Sequence, residues 1–136
     1  MSYSGAVSPL KVLPRESVER EELPTFEFTG AEVIAEIRRL AQRFPDQKAE
    51  GKYVGNDDRP HCIGGRALAN LGVPLGLLIQ AEGTTLDTMM SRLRIESTYR
   101  QRRWLRATQG NQDRGEVWHA AVNQADIWHP ESEVTA

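Results

Sequence analysis

Apolar residues recur along most of this chain at spacings of three and four, the period of a helix rather than a strand. The clearest stripe is Val33, Ile34, Ile37, Leu40, Ala41 and Phe44, with Glu36, Arg38, Arg39 and Arg43 off it. That pattern predicts one amphipathic helix with a single buried face. Thr29-Gly30-Ala31-Glu32 reads as a capping box at its start, and Pro45 ends it.

A second helix is expected around Ile63, Ala67, Leu68 and Leu71, with Asp57 or Asp58 as its cap, Pro60 in its first turn and Gly72 as its stop. Gly64-Gly65 inside it costs about 1 kcal/mol per glycine relative to alanine, which implies close approach by another backbone. Pro74 opens a short third helix through Leu75, Leu77, Leu78, Ile79 and Ala81, closed by Gly83. It is apolar almost all round and so reads as buried. From Thr85 to Gln109 there is neither glycine nor proline, and Thr84 with Asp87 suggests a start. Leu86, Met90, Leu93, Ser97, Gln101, Trp104 and Thr108 keep to one side of a helix, which favours a single long element. The alternative is a break near residues 95–98, with Ser97 as a cap. A last helix carries Val117, Trp118, Ala121, Val122 and Ala125 after a capping signal at Asp113-Arg114-Gly115-Glu116. Tyr53-Val54 suggests at most a scrap of strand.

The expectation is therefore an all-α, compact bundle of about five helices over residues 29–127. Residues 1–28 form an N-terminal arm, interrupted by Pro9, Pro14 and Pro24, and residues 128–136 an acidic tail. Within the arm Phe26 and Phe28 alternate around Glu27, the pattern of an extended segment laid on an apolar groove, and so are candidate contacts.

Composition adds little to this. A length of 136 residues suits one domain, large enough to fold without a disulfide or metal. Cys62 is the only cysteine, so no intrachain disulfide can form, which fits a reducing compartment. No apolar run approaches the ~18 residues of a membrane span, and Met1-Ser2-Tyr3-Ser4-Gly5 lacks the basic start of a secretory signal. A cytoplasmic protein with no membrane partner is expected.

Charge changes the picture more. The net charge is -2, yet residues 92–106 hold Arg92, Arg94, Arg100, Arg102, Arg103 and Arg106 against Glu96 alone, a local +5. On one continuous helix Arg92, Arg102, Arg103 and Arg106 share the face opposite the Leu86–Leu93–Trp104 stripe, with Tyr99 among them. Arginines beside an aromatic ring suit carboxylate, phosphate or stacked bases. The alternative is a solvated face carrying Arg92–Glu96 and Glu96–Arg100 pairs, or one neutralised by the acidic segments 16–22 and 113–133.

Other constellations are weaker. Arg66 to Val73, followed by Leu78 and Glu82, resembles a lambda-repressor-type helix-turn-helix. However, Leu68 stands where a small residue belongs, and the would-be reading segment from Leu75 to Glu82 has only Gln80 to contact bases. His61 and Cys62 are adjacent and point about 100° apart on a helix, so His61 is poorly placed as a base, and Cys62 reads as a buried thiol. His61, His119 and His129 are widely separated, and no paired metal-ligand motif or phosphate-binding glycine loop occurs. No catalytic residue, cofactor or metal is expected.

Two segments, Cys62-Ile63-Gly64-Gly65-Arg66-Ala67-Leu68 and Gln112-Asp113-x-Gly115-x-x-Trp118-x-x-Ala121-x-x-x-Ala125-Asp126, resemble small uncharacterised proteins of actinobacteria and their phages. The resemblance implies a phage or prophage accessory protein and carries no catalytic role. The sequence thus points first to a non-enzymatic binding or regulatory protein acting on a host or virion protein. Nucleic-acid binding through the Arg92–Arg106 face is the alternative, and an enzyme centred on Cys62 comes third.

Overall fold

The computed structural model describes residues 25–49 and 60–132. Among them the regular elements are six helices: α1 (Gly30–Arg43), α2 (Ile63–Asn70), α3 (Leu75–Gln80), α4 (Leu86–Arg92), α5 (Tyr99–Asp113) and α6 (Trp118–Trp128). The fold is all-α. The arm before residue 25, Tyr53-Val54, Asp57, Asp58 and the last four residues lie outside the described part.

The α1 stripe behaves as its spacing predicts. Val33, Ile34, Ile37, Leu40 and Ala41 are buried, and Thr29 and Glu32 close the capping box. Phe26 and Phe28 precede it, half-buried against the core with ring centroids 5.5 Å apart.

The long helix expected over residues 85–109 is two helices. Leu93 and Arg94 end α4 in a Schellman turn: Arg94 N–H donates to Ser91 O (3.1 Å) and Ile95 N–H to Met90 O (2.9 Å). Such a turn needs a left-handed residue, and Arg94 supplies it at φ 57°. The same turn ends α2 at Gly72 and α5 at Gly115, where glycine adopts it without strain. Thr98, rather than Ser97, caps α5 through a full box with Gln101. The broken segment crosses the start of α1, where Gly30 N–H donates to Glu96 O (2.7 Å). A Cβ on Gly30 would stand 2.5 Å from that of Ser97.

Other boundaries also move. Helix α5 runs through Gly110 and Asn111 to Asp113, and α6 starts after Val117, so Asp113 caps nothing. The first amides of α6 donate instead to the loop after α1: Trp118 N–H to Gln47 O (2.9 Å) and His119 N–H to Pro45 O (3.1 Å). Helix α2 is capped by Cys62, whose Sγ accepts from Gly65 N–H (3.2 Å), so Pro60 stands before the helix. Thr85 precedes α4 and makes no side-chain cap bond, while Thr84 Oγ1 donates back to Ala81 O. Helix α3 is not buried all round: Leu78 is enclosed, but Leu75 and Leu77 are half-buried and Ile79 is exposed.

Helices α5 and α6 form an antiparallel hairpin, pairing Trp104 with Asp126 at one end and Asn111 with Ala121 at the other. Helix α1 packs on α2 and across the hairpin, and α4 lies along α5. At the centre, Trp104, Leu105 and Trp118 are fully enclosed with Ile34, Ile37, Leu86 and Met90.

The buried face of α5 beyond Leu105 is polar, and each amide has a use. Gln112 Oε1 accepts from Ile63 N–H (2.7 Å) and Trp118 Nε1–H (3.2 Å), and Gln109 Oε1 accepts from Gly64 N–H (3.1 Å). Asn111 Nδ2–H donates to Ala121 O (3.1 Å). Two glutamines of α5 therefore satisfy the free amides at the start of α2, which glutamine's neutral carbonyl can do inside a core. Close approach to Gly64 comes from the side chains of Gln109 and Leu86 rather than from another backbone.

Candidate functional site

The break at residues 93–98 decides which arginines act together. Arg92 stays on the last turn of α4, exposed, and does not share the α5 face expected of it. Arg102, Arg103 and Arg106 project from α5 beside Tyr99 into a groove of about 950 Å³ between α4, α5 and α6. The groove also takes in Arg114, Trp128 and His129, which the sequence did not link to this face. Arg114 was hidden by the expected helix end at Gln109. With the helix continuing, it falls two i,i+4 steps beyond Arg106, with Gly110 between them.

The side chains are arranged as follows. Arg103 donates to Tyr99 Oη (3.2 Å) and stacks over that ring at 5.6 Å, while its other nitrogen meets His129 Nδ1 at 3.1 Å. Arg102 is half-buried and donates to Ser97 O (3.2 Å). Arg114 donates to Asn111 Oδ1. Arg106 is exposed and has no hydrogen bond or ion pair among the described residues. Among the described residues Asp87 is the only carboxylate lining the groove. Its Oδ1 is buried without a partner. Tyr99 and Trp128 are 66% and 75% exposed, which is unusual for rings of that size. Ile127 beside Trp128 is 68% exposed.

The expected neutralising pairs go elsewhere. Neither Glu96 pair forms, since Glu96 sits in the turn. Asp126 and Glu131 of the C-terminal acidic segment bind Arg38, outside the groove. Among the described residues no carboxylate pairs with the groove arginines; the acidic segment 16–22 lies outside them.

The remaining candidates offer less. Cys62 is buried, and burial pushes its thiol up to about 12, against the Gly65 amide and Gln109. Its sulfur is engaged in capping α2. Helix α3, where a helix-turn-helix would read bases, is only six residues long. Among the described residues no three His, Cys, Asp or Glu side chains gather as metal ligands would, and no helix is long and apolar enough to cross a membrane.

Comparison of the chain with protein-family models, with curated proteins and with solved structures finds no match.

Proposed function

We propose that this chain is a non-enzymatic binding protein, that the α4–α5–α6 groove is its docking surface, and that its partner is a protein presenting an acidic segment. One observation carries the reading: Arg102, Arg103, Arg106 and Arg114 line a single groove together with the exposed rings of Tyr99 and Trp128. Arginine, tyrosine and tryptophan are the residues that dominate the energetics of protein interfaces. The guanidinium fork also binds carboxylates in bidentate fashion. The sequence motifs support a regulatory or accessory role in a phage or prophage, acting on a host or virion protein.

A second reading has one specific observation behind it. Tyr99 and Trp128 are largely exposed beside the arginines, the combination on which single-strand binding proteins stack bases. Affinity capture from an actinobacterial lysate, with and without nuclease, separates the two. The expected result is a captured protein that survives nuclease and is lost from the Arg103→Glu, Arg106→Glu double variant. Capture that nuclease abolishes favours the second reading. Capture that the double variant retains removes the groove from the function.

A further inference from the structure

The order of the arginines along α5 bears on the shape of what binds them. At 1.5 Å of rise per residue, Arg102 and Arg106 are separated along the axis by about 6 Å and Arg106 and Arg114 by about 12 Å. Measured at the backbone, the three positions therefore form a ladder about 18 Å long rather than a ring around one point. Gly110 lies on the same ridge between Arg106 and Arg114, and the Arg114 guanidinium reaches back over it, 3.4 Å from where a Cβ would stand. Asp87, from α4, is the single opposing charge among the described residues. One compact anion would engage only a rung or two of such a ladder.

Resting on the reading of the groove as a docking surface for an acidic protein segment, we infer that the bound segment is extended and carries its acidic residues at alternate positions. An extended chain advances about 3.3–3.6 Å per residue, so some six residues cover the ladder. Successive side chains of such a chain point to opposite sides, and only every second one faces the groove. Acidic residues at consecutive positions therefore turn half their charge to solvent. A helical segment is a poorer match, because its 1.5 Å rise needs about twelve residues to cover the same length. The aromatic end of the groove, Tyr99 and Trp128, lies where the N-terminus of α5 meets the C-terminus of α6, and it receives one end of the segment.

The test uses the full chain and three labelled probes of equal charge. One is a peptide alternating glutamate and serine, the second has the same composition with its glutamates in one block, and the third is an oligothymidylate. Fluorescence anisotropy is expected to show the alternating peptide bound about tenfold more tightly than the block peptide. Arg114→Ala is expected to erase most of that difference, since it removes the far rung, while melting as the parent does. Equal binding of the two peptides overturns the extended, alternating geometry and leaves the acidic-segment reading standing. Binding of neither peptide overturns the reading itself. Tighter binding of the oligothymidylate than of either peptide overturns both in favour of a nucleic-acid partner.

Discussion

Arg38 on α1 grips both carboxylate oxygens of Asp126 on α6, at 2.8 and 2.7 Å, across 88 residues of chain. Its guanidinium also meets Glu131 (2.5 Å) and lies over the Trp104 ring, 4.9 Å from the centroid. Trp104 Nε1–H donates to the same Asp126 carboxylate (2.8 Å). One arginine thus ties α1 to the hairpin and draws the chain after α6 back onto it. Trp128 and His129 lie between those two anchors, so the cluster fixes the wall of the groove as well as the fold.

Asp126→Asn is expected to cost about 1–2 kcal/mol at neutral pH, a value reduced from that of a buried charged hydrogen bond because the pair is partly exposed. The hydrogen bond from Arg38 holds the Asp126 carboxyl below its usual range, against partial desolvation and with help from Trp104. A carboxyl lowered in the folded state contributes stability above its unfolded pKa of about 3.9, and loses it as pH falls through the folded value. Urea unfolding should therefore show a constant gap between parent and variant near neutrality that closes in acid. A gap that persists there would mean the ion pair is not its source.

Gly64→Ala is expected to destabilise by roughly 1–3 kcal/mol. The added Cβ would stand 2.8 Å from Gln109 Oε1 and 2.9 Å from Leu86 Cδ2, and Gln109 cannot withdraw without abandoning the Gly64 amide. Gly76→Ala is the matched control: nothing lies within 4 Å of its Cβ, and a gain of about 0.5–1 kcal/mol is expected from helix propensity. Equal melting temperatures for the two variants would contradict the packing at Gly64.

The turn between α4 and α5 makes opposite predictions at two of its positions. Arg94→Gly relieves a left-handed arginine and should stabilise by about 1 kcal/mol. Thr98→Ala removes the cap of α5 and should cost about 1 kcal/mol. On a continuous helix the glycine would instead be the damaging change, so the sign at Arg94, read by denaturant unfolding, decides between the two structures.

Tyr99→Ala and Trp128→Ala test the groove without disturbing the core. Both rings are largely exposed, so stability should move by about 0.5 kcal/mol or less. Each should weaken partner binding; for single strands the loss expected from stacking is roughly 1–3 kcal/mol. Unchanged affinity in both variants, measured by calorimetry, would leave the arginines as the sole contacts.

Much of the fold was legible in local pattern. The buried face and capping box of α1, the burial of Cys62, and the pairing of Phe26 and Phe28 on the core follow from period, cap chemistry and the alternation of apolar residues, which neighbours in sequence suffice to set. The break after α4 was not legible as the favoured reading, because its left-handed position holds Arg94 where a glycine would have announced it. That conformation is held by the turn's own hydrogen bonds and by Glu96 O, which accepts from Gly30 on a distant helix. The end of α5 was misplaced for a related reason. Gln109, Asn111 and Gln112 look like a polar exit from the helix, yet they are buried because α2 and α6 present amides, a carbonyl and an indole that need those partners. The site divides in the same way. Four of its members, Tyr99, Arg102, Arg103 and Arg106, lie within two turns of one helix and share a face by periodicity alone. Arg114 joins them only because that helix continues, and Trp128 and His129 only because Arg38 holds the far end of the chain against α1. A sequence states the period of a helix directly. Where a helix stops, and what it faces, depends on which distant groups can satisfy its buried polar atoms, and that is settled only when the chain has packed.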